Sequence, residues 1–440
     1  MRKSFISAAA IASAALLLAA CGGNSGGGTD ASETPTADDT ASAEETPAEG
    51  GEESSAPAVR DPNADLVIWA DAVRSEAVQK VADAYGAAND ITVTVQTIVD
   101  VRKDFVTANQ AGNGPDIIVG AHDWLGQLVA NGAVEPLQVA GLDGYNEKAV
   151  AAATYNGQLY AVPYGMESLV LYCNNETAPG APFDTIDAAI AAAQGSGATL
   201  DTPLVLQTSD AYHMQPLYSS AGGYIFGYND GVWDVSDLGF ASEAGVAAAE
   251  KIATLGEAGS GVLKTSIDGT NAASIFLDGK AGCFVSGPWN YNDISSTFGD
   301  DGFTMQPVPG FEGMNPATPF LGVNQFYVAS NGKNKAYAQD FVTSTAPGGL
   351  NTAEAQQVLF DELAQPPAMN EIADKAGAES PSMAIFIAAA QAAQPMPAVP
   401  AMDAVWSPAG QAWNSIIGGA DVKETMAAAA KAMEEAIAAS

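Results

Sequence analysis

"DLVIWADAVRSEAVQKVADAYGAANDITVTVQTIV", Asp65 to Val99, decides the fold. "DLVIWA", Asp65 to Ala70, is a short apolar run of the kind buried on both faces of a sheet. The following segment spaces Val78, Val81, Ala82 and Tyr85 as one face of a helix and stops at polar Asn89-Asp90. Ile91 to Val99 then alternates β-branched and polar side chains, as a strand does. "VRKDFVTANQAG" reads as a second helix with Gly112 beyond its end, and "DIIVG" as a third strand. Strand, helix, strand, helix, strand implies an α/β fold with parallel strands and helices packed on them.

Downstream the rhythm is less regular. "GQLYAVPYG" has strand character up to Pro163, "MESLVLYCN" is another strand and "IDAAIAAAQGSG" a helix. Strand character returns at Pro203 to Gln207. "DAYHMQPLYSSAGG" reads as a helix closed by Gly222-Gly223, and "PFLGVNQFYVAS" as a strand pair or one long strand. The C-terminal part is helical and Ala-rich, and no fixed-period repeat is present.

A chain of 440 residues with 47% hydrophobic composition can bury a large core and is long enough to divide into two or more units. Its formal net charge of −36 opposes encounters with nucleic acid or anionic lipid. Residues 1–20 have the layout of an export signal: Arg2 and Lys3, then an apolar run too short to span a bilayer comfortably. "LAAC", Leu18 to Cys21, resembles the lipobox at which bacterial lipoproteins are cut and lipidated on the Cys. Residues 21–64 carry that Cys and then Gly, Ser, Thr, Pro and acidic residues without an aromatic, too little apolar surface to offset chain entropy. This is the expected disordered acidic linker. Setting Cys21 aside leaves Cys173 and Cys283, an even number in an exported chain, so a disulfide is expected, with two separate buried thiols as the alternative.

In open α/β sheets ligands bind beyond the carboxyl ends of the strands. Asp71 to Arg74, His122-Asp123-Trp124 and the Trp289 region all follow strand-like runs. Asp123 is also well placed to cap a following helix, and Asp210 likewise. No nucleophile has an evident partner spacing for a catalytic triad. Two histidines and no Cys cluster argue against a metal, and no nucleotide-binding Gly-rich loop follows the first strand, so no cofactor is expected.

"GPDIIVGAHDWLG", "YNGQLYAVPYGMESLVLYCN", "AGGYIFGYNDGVWDVSDLGF", "FLDGKAGCFVSGPW", "PFLGVNQFY" and "MPAVPAMDAVW" closely resemble the maltose/maltodextrin-binding proteins of bacterial ABC importers. The resemblance is collinear over Asp65 to Ser440. It implies a two-lobed, type II periplasmic-binding-protein-like fold with a hinge between lobes, one lobe of residues 65–165 plus 324–367 and the other of residues 168–322 plus 371–440. It implies no enzymatic activity but capture of an oligosaccharide, maltose or maltodextrin, by a monomer held by its lipid on the extracytoplasmic face, which then docks on permease subunits. Another oligosaccharide or a polyol is the alternative ligand, and a glycoside hydrolase a more distant one.

The matching positions give the expected site. Asp123 and Glu167 match sugar-binding carboxylates, and Asp210 and Tyr212 match a Glu-x-Tyr pair with an acid one methylene shorter. Trp289 and Trp406 match two stacking tryptophans, and Asp71 and Arg74 align with polar contacts in the first strand–helix loop. Gly120 stands where the family has a sugar-contacting Trp, and Trp124, four residues on, is the expected substitute. His122 is expected to brace the loop, and Trp69 and Trp413 to be core. Val73 and Arg102 also depart from the family pattern, so the outer subsites are expected to be remodelled.

Overall fold

The computed structural model describes residues 59–439 except 140, 141, 230 and 231. The expected signal peptide, Cys21 and linker residues 21–58 lie outside the described residues. Val59 to Ala64, assigned above to the linker, belong to the folded body. The Arg60 guanidinium is buried and bonds Asp116 at 2.7 Å and the carbonyls of Ala64 and Asp65 at 3.0 Å. The folded body begins earlier than the expected boundary because this short polar stretch owes its order to a partner 56 residues away.

Leu66–Ala70, Val93–Thr97 and Ile117–Ala121 form the parallel core of a six-stranded sheet, with Leu66–Ala70 in the middle. Successive side chains leave opposite faces of a strand, so both faces of this one are buried. Leu66, Ile68 and Ala70 join Tyr85, Phe326 and Phe341 in one core layer, while Val67 and Trp69 join Phe105, Ile118 and Tyr327 in the other. The helices Ser75–Asn89 and Val101–Gln110 link the strands as expected. The first ends with Asp90 at φ 54°, and its N–H bonds the Gly86 carbonyl.

"PFLGVNQFYVAS" resolves as one strand, Phe320–Val328, antiparallel to Ile117–Ala121 on one side and to Ala161–Glu167 on the other. The latter continues beyond Pro163, where the expected strand stopped. Its other side carries an isolated bridge from Gly165 to Pro367, and a register irregularity lies next to the Pro163–Gln325 pair. A proline's missing N–H is tolerated at such a place.

A second sheet has the order Phe303–Pro307, Val170–Asn174, Ala281–Ser286, Thr202–Val205. It too is covered on both faces, by Leu171, Leu204, Val285 and Trp413 on one and by Tyr172, Val205, Phe284 and Phe276 on the other. Cys173 and Cys283 stand opposite each other in its antiparallel register and form a disulfide. Trp69 and Trp413 are buried core residues.

The chain passes from the first sheet to the second at Ser168-Leu169 and returns at Phe320–Val328. Glu167 pairs with Gly322 and Met166 with Val323, so two crossing segments lie side by side. The Ser168 hydroxyl donates to the Phe320 carbonyl. A later passage runs beside them, where the Met166 N–H donates to the Pro366 carbonyl at 2.7 Å. The expected second-lobe segment 371–440 is not wholly on the second sheet: Gln394–Pro395 pairs with Phe320 and Leu321 of the first. The helices Asp403–Ile417 and Val422–Ala439 then pack on the second core through Val405, Trp413, Met426 and Met433. No helix among the described residues is long and apolar enough to cross a membrane.

Candidate functional site

The ends of the central strands of the first sheet deliver Asp71 to Arg74 and His122 to Trp124. Arg74 is the residue before the helix Ser75–Asn89. Its guanidinium pairs with Asp71, donates to the Tyr164 hydroxyl at 2.9 Å and donates to Asn324 Oδ1 at 3.0 Å. Asn324 Nδ2 donates to Gln365 Oε1 at 3.3 Å, and Gln365 Nε2 donates to Glu167 Oε2 at 3.0 Å. One polar chain therefore runs from the first strand–helix loop to the carboxylate at the crossing. Burial pulls the Arg74 pKa down, but Tyr164, Asp71 and Glu167 together push it above its ordinary value, and the guanidinium is cationic. Burial raises the Glu167 pKa, with Arg74 pulling it back. Gly322 makes room for this carboxylate: a Cβ there would stand 2.8 Å from Glu167 Cγ.

His122 is fully buried and braces the loop. Its Nδ1 accepts from the Val323 N–H at 3.1 Å, which leaves the proton on Nε2 to donate to the Met396 carbonyl at 3.0 Å. Burial lowers its pKa to about 4. Asp123 makes no cap bond to the helix Leu125–Ala130, so capping does not account for it. Burial pushes its carboxyl up to about 6, with Arg102 acting in the opposite sense. The Arg102 Nη1 is 3.9 Å from Asp123 Oδ2. The Trp124 ring lies directly on Gly120, where a Cβ would meet Cζ3 at 1.9 Å.

The second half supplies Asp210, Tyr212, Trp289 and Trp406. Asp210 caps the helix Ala211–Ser220, with Oδ1 accepting from the Tyr212 N–H at 2.8 Å and Oδ2 paired with His213 Nδ1 at 2.8 Å. Burial opposes its charge, but His213 and the helix N–H groups hold its pKa below the usual value. The shorter acid is thus engaged at the helix start, as the capping alternative expected. Rings follow one another on this side. Trp289 meets His213 at 6.1 Å between centroids, His213 meets Tyr212 at 5.6 Å, Tyr212 stacks on Phe320 at 6.4 Å, and Phe320 meets Trp406 at 6.2 Å. Trp289 is 47% exposed and folds back over Gly287.

The Tyr212 hydroxyl joins the two groups. It is buried without a hydrogen-bond partner. Burial raises its pKa, and so do the nearby carboxylates of Glu167, Asp210 and Asp123. Carboxylates from both sheets thus face one orphaned donor.

His213, Phe320, Tyr164, Asn324 and Gln365 were missed in the sequence. His213 had a signal, since it adjoins Tyr212 in "DAYH". Asn324 and Gln365 had none, because their partners are 250 and 198 residues away. Among the described residues no cluster of His, Cys, Asp and Glu could hold a metal ion.

The chain is 26% identical over 409 residues to the galactooligosaccharide-binding protein of Bacillus subtilis (strain 168), covering 87% of this chain and 91% of the relative. It is 26% identical over 391 residues to a maltooligosaccharide ABC transporter solute-binding lipoprotein of Streptococcus pneumoniae (strain ATCC BAA-255 / R6), covering 85% and 89%. Among solved structures it is similar to an extracellular solute-binding protein from Staphylococcus aureus in complex with maltose, with TM-score 0.72 and 27% identity over 86% of this chain and 98% of that one. A cyclo/maltodextrin-binding protein complexed with maltotetraose shares the fold, with TM-score 0.74 at 24% identity over 84% and 97%. The family model of the bacterial extracellular solute-binding proteins matches residues 80–385, and the chain belongs to that family.

Proposed function

We propose that this chain is the substrate-binding lipoprotein of an ABC sugar importer and that it captures a maltose- or maltodextrin-type oligosaccharide between its two halves. The observation that carries the reading is the orphaned Tyr212 hydroxyl, set among Glu167, Asp210 and Asp123 and within a row of rings from Trp289 to Trp406. A sugar offers hydroxyls that donate to carboxylates and accept from tyrosine, and C–H faces that lie on aromatic rings. The site offers both kinds of contact together. Asp71 and Arg74 extend the polar wall, and Trp124 adds an indole at its edge. The family is one of solute-binding proteins, so the carboxylates serve binding rather than hydrolysis.

The two lobes are proposed to be built on the two sheets, with Gln394–Pro395 on the first, and the paired segments Met166–Glu167 and Gly322–Val323 to serve as hinge. Sugar held by both halves stabilises the closed form over the open one, and the closed form docks on the permease. A lipid on Cys21 and the acidic linker keep the monomer at the extracytoplasmic face of the membrane, as the name of the pneumococcal relative supports. A β- or α-galactoside is the second reading, favoured by Gly120 in place of a tryptophan and by the galactooligosaccharide-binding relative.

Tryptophan fluorescence titrated with maltotriose and with galactooligosaccharides of equal length separates the two. A saturable change with the glucan supports the first reading. A response to the galactosides alone supports the second, and none with either removes the sugar assignment.

A further inference from the structure

The row of rings ends differently at its two ends. Trp289 leaves its end open, being 47% exposed. At the other end, Trp406 lies one helical turn beyond Asp403 on the same helix, Asp403–Ile417. Asp403 forms an ion pair with Arg102 of the helix Val101–Gln110. Met402 and Val405, either side of this acid, are buried in the core of the second sheet, whereas Val101 and Phe105 beside Arg102 are in a core layer of the first. The pair thus ties the two halves together one helical turn from Trp406.

Arg102 is engaged from both halves. Nε donates to Gln127 Oε1 at 3.2 Å, Nη2 is bonded to Asp403, and Nη1 lies 3.9 Å from Asp123 Oδ2. A guanidinium held by Gln127 on one side and Asp403 on the other acts as a strut between them.

We infer that the Arg102–Asp403 pair is a strap across the Trp406 end of the site, which closes that end to further sugar units. The inference rests on the sugar-binding reading above. A chain that occupies Trp406 and Tyr212 can lengthen past Trp289 but not past Trp406, so a long glucan must bind by one terminus in a single direction.

Calorimetric titration with maltotriose carrying a bulky aryl group at its reducing or at its non-reducing end tests this on the wild type, Asp403→Ala and Arg102→Ala, with galactotriose tagged in the same two ways as a second series. The wild type should bind one tagged form at least roughly tenfold tighter than the other, because only the end at Trp289 has room for the group. Asp403→Ala should bring that ratio close to one while leaving the Kd for the untagged sugar within about threefold. Arg102→Ala should relax the ratio as well and also change affinity for the untagged sugar through its neighbour Asp123. Equal affinity for both tagged forms in the wild type, or an unchanged preference in both variants, overturns the strap while leaving the sugar site intact. Binding of neither series removes the sugar reading and the strap with it.

Discussion

The Trp124 ring lies against the backbone of Gly120, occupying the space a side chain there would fill. Gly120 is therefore a requirement of Trp124. Gly120→Ala should destabilise the protein by about 1–3 kcal/mol as the ring is displaced. Gly120→Trp should be tolerated far better when combined with Trp124→Ala than alone. Denaturant unfolding of the two single variants and the double gives the coupling directly.

Trp289 is half exposed and supports little of the core, so its loss should separate binding from stability. Trp289→Ala should weaken oligosaccharide binding by roughly 10- to 100-fold, the loss of one aromatic face, with the melting temperature unchanged. Calorimetry together with a thermal melt checks both halves of the statement.

Asp123 gives binding a pH dependence. Its folded pKa is raised by burial to about 6. A hydroxyl donating to it favours the charged form, so ligand should release a proton near pH 6 and affinity should fall as pH drops below that value. For stability the sign is opposite: the contribution of this group is fully present below the unfolded carboxylate pKa of about 3.9 and is lost as pH rises through about 6. Calorimetry in two buffers of different ionisation enthalpy detects the proton, and Asp123→Asn should abolish it.

His122 acts on stability alone. Its folded pKa of about 4 lies below the unfolded value, so its contribution is present above about pH 6.5 and lost as pH falls through about 4. Protonation would deny the Val323 N–H its acceptor at the crossing strands. Roughly 3 kcal/mol of acid destabilisation should arise over that range and be absent from the pH profile of His122→Gln unfolding.

The Cys173–Cys283 bond closes a loop with a sequence separation of 110 and sits in the core of the second sheet. Replacing both by Ala should cost about 3–5 kcal/mol in denaturant unfolding and leave sugar affinity nearly unchanged.

Much of this architecture was legible because the local pattern and the tertiary demand agree. "LVIWA" and "DIIVG" are apolar on both faces since both faces are covered, and the helix between the first two strands ends where Asn89-Asp90 predicts. Phe303–Pro307 and the hairpin of Phe226–Asn229 with Val232–Leu238 went unread. "FTMQP" has no β-branched run, and its strand state comes from pairing with Val170–Asn174. The candidate site divides the same way. Tyr212, Trp289 and Trp406 stand in motifs that the family shares, whereas the Arg74–Asn324–Gln365–Glu167 chain and the Arg102–Asp403 pair join distant segments with no local mark. Asp210 was ambiguous in sequence because helix capping and ligand contact ask for the same residue type in the same place.

The central claim is that the cleft binds a neutral oligosaccharide, and calorimetric titration of the chain from Gly22 onward with maltotriose tests it most directly. The account predicts one site per chain with micromolar or tighter affinity, weakened at least roughly tenfold in Trp289→Ala. No heat with maltotriose or with any galactooligosaccharide, from protein shown to be folded, would contradict it.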